Sequence, residues 1–227
     1  MKAETGLLTP SAAEIIQRFD RLGAPGVRRS ADSAAGLATL LPDNRSRGDH
    51  DLNPDLYTPA ENLTPAAVLV PIVERAEGLT VLLTRRTDHL YDHAGQISFP
   101  GGRVDPGDAG PDFTALRETE EEIGVARRHI RLVGQLDTYV TRTGFEISPM
   151  VGLIRPPFDV KPDEFEVAEV FEVPLGFILD PGSRQRHSRV FRGTERHFYV
   201  FPFGDYYIWG ATAGMLVNLA EVLGDAD

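Results

Sequence analysis

The 227-residue chain contains no cysteine. That excludes disulfide bridges, thiolate nucleophiles and thiolate metal sites, so any bound metal must rest on other donors. Lysine is nearly missing too: Lys2 and Lys161 are the only two, and the remaining positive side chains are arginines. Arginine suits bidentate phosphate contacts, although a GC-rich coding sequence produces the same bias. No apolar run approaches the length of a membrane span, and the opening MKAETGLLTPSAAEIIQRF lacks a signal peptide's apolar core. A cytoplasmic protein with no membrane role is expected. A basic excess is also lacking: 34 acidic residues stand against 23 Lys and Arg, giving a formal net charge of −11. That opposes a general nucleic-acid binder, which carries a basic face. A small anionic substrate stays compatible, because metal ions and a few local arginines can hold it.

What remains is an apolar content of 41%, enough for the core of one domain of ordinary size. Residues 11–22 read as an amphipathic helix, with Ser11 and Glu14 in a capping-box pattern after Pro10. From about Leu41 to Pro65 the chain is rich in Pro, Asp and Asn and reads as loop or linker. Residues 1–60 are therefore expected to form an N-terminal extension packed on a domain over 61–227. AAVLVPIVE (66–74) and LTVLLTRR (79–86) predict a hairpin across Glu77-Gly78. Asp112–Ile123 predicts a helix. Strands are expected at 130–138, 145–154, 167–173, 187–192, 196–203 and 206–209, with a last helix over about 211–223 ending at Gly224. Strands, a helix, more strands and a helix indicate an α/β or α+β domain whose mixed sheet is covered by helices.

The most distinctive stretch is FPGGRVDPGDAGPDFTALRETEEEIGV (99–125). At about 100° per residue, Ala115, Leu116, Thr119 and Ile123 make an apolar stripe for a sheet. Glu118, Glu121 and Glu122, at i, i+3 and i+4, gather on a neighbouring face while Glu120 points away. Arg117 stands one turn before Glu121 and can pair with it. Like charges at these spacings cost an isolated helix roughly 0.2–0.5 kcal/mol per pair. A hard divalent cation would compensate; a solvated acidic face is the plainer alternative. Gly101-Gly102 lets backbone approach the helix closely.

The ordered pattern decides between them. FPGG, then REXXEE, then Gly124 resembles the Nudix box, G-x5-E-x7-R-E-U-x-E-E-x-G-U, where U is aliphatic. Gly102, Asp108, Arg117, Glu118, Thr119, Glu121, Glu122, Gly124 and Val125 hold its positions. Asp108 replaces a Glu, Thr119 replaces an aliphatic residue, and one extra residue separates Asp108 from Arg117. The resemblance implies a Nudix-like α/β/α sandwich. It also implies Mg²⁺ (or Mn²⁺) bound by Glu118, Glu121 and Glu122 near Gly102, and hydrolysis of a nucleoside diphosphate linked to another moiety. Arg117 would orient the glutamates. The general base would be Glu118 or Glu122 of the box, or Glu164 or Glu166 in the later 162–169 loop.

Upstream, LLTRRTDHLYDHAGQISFPGG (82–102) resembles the coenzyme A pyrophosphatase motif LLTxR[S/A]xxxRxxxGxxxFPGG at Leu82, Leu83, Thr84, Arg86, Gly95 and Phe99–Gly102. Thr87 stands for Ser or Ala, and Tyr91 for an Arg. EVFEVPLGFIL (169–179) and IWGATAGML (208–216) extend the likeness. It implies coenzyme A or its derivatives as substrate, with Arg86, Gly101, Gly102 and Arg103 at the phosphates. ADP-ribose, NADH or a dinucleoside polyphosphate is the second reading, and a non-catalytic nucleotide-binding module the third. Trp209 either stacks on an adenine or packs in the core. Arg142, in the TRTGF turn, either reaches a phosphate or sits on the surface. A homodimer is compatible with the apolar C-terminal segment.

Overall fold

A computed structural model describes residues 9–22, 46–54, 62–89, 94–191 and 193–224. Tyr91, His93 and much of the 41–65 stretch lie outside these residues. Helix α1 (Ala12–Arg21) starts at the expected capping box: Ser11 Oγ accepts from the Glu14 amide, and the Glu14 carboxylate accepts from the Ser11 amide at 2.7 Å. Its Ile15 and Phe19 are fully buried in the main core, each stabilising the fold by about 1.5–3 kcal/mol.

The sheet grows around β2 (Thr64–Arg75), which forms the expected hairpin with β3 (Gly78–Arg86). On its other side β2 runs parallel to β8 (Phe145–Ile154) over ten register positions. Short strands β4 (Ile97–Ser98) and β5 (Gly101–Arg103) pair with β3 and β2. Strands β6 (Ile130–Gln135) and β7 (Tyr139–Val140) pair with β8, and β9 (Val167–Pro174) with β3. With β1 (Arg47–Gly48) beside β7, the described residues form a nine-stranded mixed sheet. A second, antiparallel sheet contains β10 (Gln185–Phe191), β11 (Thr194–Phe203) and β12 (Tyr206–Trp209).

Alternation along the strands sorts the core into two layers. Ala67, Leu69, Val73 and Leu82 face helix α2 (Pro111–Ile123), whose Ala115 and Ile123 pack on them. Val70, Ile72, Val81 and Leu83 face the opposite way, toward α1 and the last helix, α4 (Gly210–Leu223). Helices on both sides of a mixed sheet give the α/β/α arrangement. Among the described residues no helix is long and apolar enough to cross a membrane.

Short strands β4 and β5 were not predicted, and three further elements differ from the sequence expectation. The 130–138 strand breaks after Gln135 and resumes as β7. Strand β1 lies within the predicted linker because tertiary bonds outweigh its loop-like composition: the Arg47 amide donates to Thr138 O at 2.8 Å, and its guanidinium pairs with Asp137 and Glu221. Helix α3 (Leu175–Leu179) was not anticipated; only five residues long, it gives too short a pattern to read.

Candidate active site

The site forms where β3, β5 and α2 meet. At the end of β3 the ladder with β9 is irregular between Arg85 and Arg86. The Arg86 amide then donates to Gln96 O (2.9 Å), and Thr84 Oγ1 to Ser98 O (3.2 Å), clamping the returning chain. Leu69 N–H donates to Pro100 O at 2.9 Å, after which Gly101 and Gly102 run antiparallel to Val68 and Ala67. A Cβ on Gly101 would lie 2.4 Å from Ala67 O, and one on Gly102 would lie 2.5 Å from the Glu118 carboxyl group. Gly101 lets the turn lie close against β2, and Gly102 leaves room for the Glu118 carboxylate of α2. Gly124, at φ +71°, closes α2 with its amide donating to Glu120 O.

Glu122 is the most buried carboxylate of the helix, 6% exposed. Its Oε2 accepts from the Gly101 amide at 3.3 Å, and its Oε1 lies 3.9 Å from Arg86 Nη1. Burial pushes the carboxyl up to about 8; the Gly101 amide and Arg86 oppose the rise, while Glu118 and Glu166 add to it. Glu118 is also raised by burial, against the pull of Arg117. Glu121 turns outward, 59% exposed, and shares Arg117 Nη1 with Glu118, each at 2.9 Å. The turn thus gathers Glu118 and Glu122, with Glu121 on the rim. Glu120 points away toward Arg127 (3.5 Å). Among the described residues no three acidic or imidazole groups are drawn together closely enough to form a ready-made metal cage. The stripe beneath is as expected at Ala115, Thr119 and Ile123, with Leu116 half-buried. Thr119 is accommodated in place of an aliphatic residue because its hydroxyl donates to Ala115 O at 2.6 Å.

Sequence reasoning missed the work of Asp108. Its carboxylate takes Arg117 Nε (3.2 Å) and Nη2 (2.9 Å) as a fork and also accepts from Thr114 Oγ1 (2.8 Å). Asp108 therefore positions the arginine that holds Glu118 and Glu121. The only signal in the sequence was its place in the box. The Arg117 guanidinium holds the Asp108 carboxyl well below its usual range, at about 2. Asp108→Asn is expected to lower stability at neutral pH by about 1–2 kcal/mol, between the values for exposed and buried pairs. Because the folded-state pKa is depressed, the contribution is complete above the ordinary value of 3.8 and disappears as pH falls through 2. Denaturant unfolding of both proteins between pH 2 and 6 measures it; a difference that persists unchanged at pH 2 sinks the ion-pair account.

Glu166 is half-buried and close enough for its charge to raise both Glu118 and Glu122. Its loop is pinned one residue beyond Arg86: Thr87 N–H donates to Glu166 O (3.0 Å) and Thr87 Oγ1 to Phe165 O (2.8 Å). Asp163 N–H donates to Glu122 O at 2.8 Å, tying the same loop to α2. Glu164 is exposed. Arg86 Nε is buried without a hydrogen-bond acceptor among the described residues, beside Glu122. Arg103 follows Gly102 and lies over the Phe145 ring at 5.5 Å. Trp209 is two-fifths exposed and edge-on to Phe198, and so outside the core. A cavity of about 220 Å³ lined by Glu74, His129 and Arg155 sits at the far end of β2 and β8, away from the carboxylates.

Buried and half-buried carboxylates facing a glycine turn, bordered by guanidinium groups, are the donor types that metal-assisted hydrolases of phosphoanhydrides bring together. The chain belongs to the Nudix family: the family model described as NUDIX domain matches residues 63–193. It is 39% identical over 174 residues to a protein of Escherichia coli K12 described as uncharacterized Nudix hydrolase NudL, an alignment spanning 76% of this chain and 90% of that one. Among solved structures, a MutT/nudix family protein from Enterococcus faecalis is similar at 17% identity and TM-score 0.46, over 94% of this chain and 75% of that chain. An Ap4A hydrolase from C. elegans is similar at 23% identity and TM-score 0.43, over 48% and 80%. Family membership makes the chain a hydrolase of nucleoside diphosphate derivatives, a class that generally uses divalent metal ions.

Proposed function

We propose that the chain hydrolyses the pyrophosphate bond of coenzyme A or its thioesters. The products are 4′-phosphopantetheine, or its acyl form, and adenosine 3′,5′-bisphosphate. The observation that carries this reading is the 82–102 pattern, whose two ends flank one carboxylate: Arg86 Nη1 and the Gly101 amide lie 3.9 Å and 3.3 Å from the oxygens of Glu122. A motif that selects the substrate is thereby joined to the box that performs the chemistry.

The donor set fits a hard cation. Two carboxylates held at low exposure with raised pKa values gain from a nearby positive charge, and Gly102 leaves room for backbone to approach. Glu118 and Glu122 would hold Mg²⁺, or Mn²⁺, with Glu121 and the Gly102 carbonyl completing the protein's share. When bound, the ion neutralises the diphosphate and acidifies a water. Glu166 would accept the proton of the attacking water, whose oxygen would bond to one phosphorus while the bridging P–O bond breaks and the other phosphate leaves. Arg86 and Arg103 clamp non-bridging oxygens, a role guanidinium forks fill well. Arg117, fixed by Asp108, keeps Glu118 and Glu121 in place.

The test is a substrate panel of coenzyme A, ADP-ribose, NADH and a dinucleoside polyphosphate, with and without Mg²⁺, resolved by product chromatography. Coenzyme A is expected to lead in kcat/KM by at least about tenfold, as one lost favourable polar contact implies. Adenosine 3′,5′-bisphosphate should appear only with the ion. A lead for ADP-ribose, NADH or the dinucleotide refutes the substrate assignment, and turnover of none refutes catalysis.

A further inference from the structure

Between residues 184 and 196 the sequence carries five arginines and a single carboxylate, Glu195, in a chain whose net charge is −11. This stretch folds as the β10–β11 hairpin, where Arg189 and Arg196 are direct cross-strand partners. Like charges placed opposite one another weaken a hairpin unless an anion lies between them. Arg196 lies 5.2 Å from the Phe191 ring, and Arg142, arriving from the β7–β8 turn, lies 4.9 Å from the same ring. Among the described residues none of these three guanidinium groups forms an ion pair with a carboxylate and Arg196 Nε is buried without an acceptor, while the Arg142 backbone amide donates to Asp49 Oδ2 at 3.0 Å. Other arginines, among them Arg47, Arg75, Arg85, Arg117 and Arg155, sit within 4 Å of carboxylates.

The cluster connects to the active site through a row of guanidinium–aromatic contacts. Gly102 touches Glu118, and the next residue, Arg103, covers Phe145. Phe145 O accepts from Thr141 N–H at 2.9 Å, closing the turn that presents Arg142 to Phe191. A ligand whose diphosphate lies at Glu118 and Glu122 therefore has a second cationic station, linked to the site through Arg103, Phe145 and the Arg142 turn. In a protein of this net charge, such a station is where a second anionic group gains most.

We propose that Arg142 and Arg196, held over Phe191 with Arg189 alongside, form the subsite for the phosphomonoester on the nucleotide half of the substrate, the 3′-phosphate of coenzyme A. This rests on the coenzyme A reading. Guanidinium forks match the terminal oxygens of a phosphomonoester, and Arg142 and Arg196 both pack on the one Phe191 ring.

Kinetics on coenzyme A and 3′-dephospho-coenzyme A test it. Wild type is expected to favour coenzyme A by about 10- to 100-fold in kcat/KM, the range of one or two charge-assisted bonds. Arg142→Ala and Arg196→Ala should each pull that ratio toward one, with the loss on coenzyme A falling on KM rather than kcat. Arg142→Lys should restore part of it. Adenosine 3′,5′-bisphosphate should inhibit wild type more strongly than AMP, and lose that advantage in the alanine variants. Arg142 lies in an exposed turn, so its variant decides the matter if the Arg196 variant unfolds. Equal use of both substrates by wild type overturns the subsite and leaves the coenzyme A reading standing. Turnover of neither overturns both. Alanine variants that keep the preference overturn the assignment of these arginines.

Discussion

Glu122→Gln is expected to lower kcat on a nucleoside diphosphate substrate by on the order of 10²–10³ in saturating Mg²⁺, and Glu118→Gln to do the same. The magnitude follows from losing one anionic ligand of an ion that contributes several kcal/mol to the transition state, where about 1.4 kcal/mol is tenfold in rate. The two carboxylates sit where such a loss is felt most. Glu122 is 6% exposed, and Glu118 is pressed against Gly102. Glutamine keeps the shape, so the fold survives. Stability separates this account from a merely structural role. Burial raises the Glu122 pKa from 4.5 to about 8, so the folded state binds more protons between those values. The metal-free wild type therefore loses stability as pH rises from 4.5 through 8, by up to a few kcal/mol. Glutamine has no charge to bury, so Glu122→Gln flattens that slope and unfolds at higher temperature than wild type at pH 8 without metal. Added Mg²⁺ raises the wild-type Tm by mass action and raises that of the variant less. Turnover near wild type in either variant sinks the metal assignment, whatever the thermal data show.

The features legible in the sequence were those set by local pattern. The α1 capping box, the β2–β3 hairpin, the stripe on α2 and its Gly124 stop depend on residues a few positions apart, and each lies where periodicity puts it. What escaped was set by partners far along the chain. Strand β1 exists because Thr138, Asp137 and Glu221 reach it, and nothing in RG at positions 47–48 announces a strand. The site divides in the same way. Helical spacing grouped Glu118, Glu121 and Glu122, but only the glycine turn of β5 distinguishes the two that lie against it from Glu121, which turns out to solvent. The shorter Asp108 carboxylate, shifted by one residue, looked like a weakened box position. In the folded chain it anchors Arg117, because the loop brings it under the guanidinium.

The same distinction between spacing and placement bears on the base, and yields the second large effect. Glu166→Gln is expected to reduce kcat by about 10²–10⁴, the usual contribution of a positioned general base. Glu164, two residues earlier, offers the same chemistry in the sequence but is exposed, so Glu164→Gln should stay near wild type. Glu166 is different because Thr87 pins its backbone one residue beyond Arg86, placing its charge within reach of both Glu118 and Glu122. A base and a metal ligand are told apart by measuring turnover and the Mg²⁺-induced rise in Tm together. Loss of turnover with the thermal rise intact identifies the base. Loss of both makes Glu166 a ligand instead. Retention of both removes it from the reaction and returns the proton to one of the box glutamates, where Glu122, hydrogen-bonded by Gly101 and flanked by Arg86, is the next group to replace.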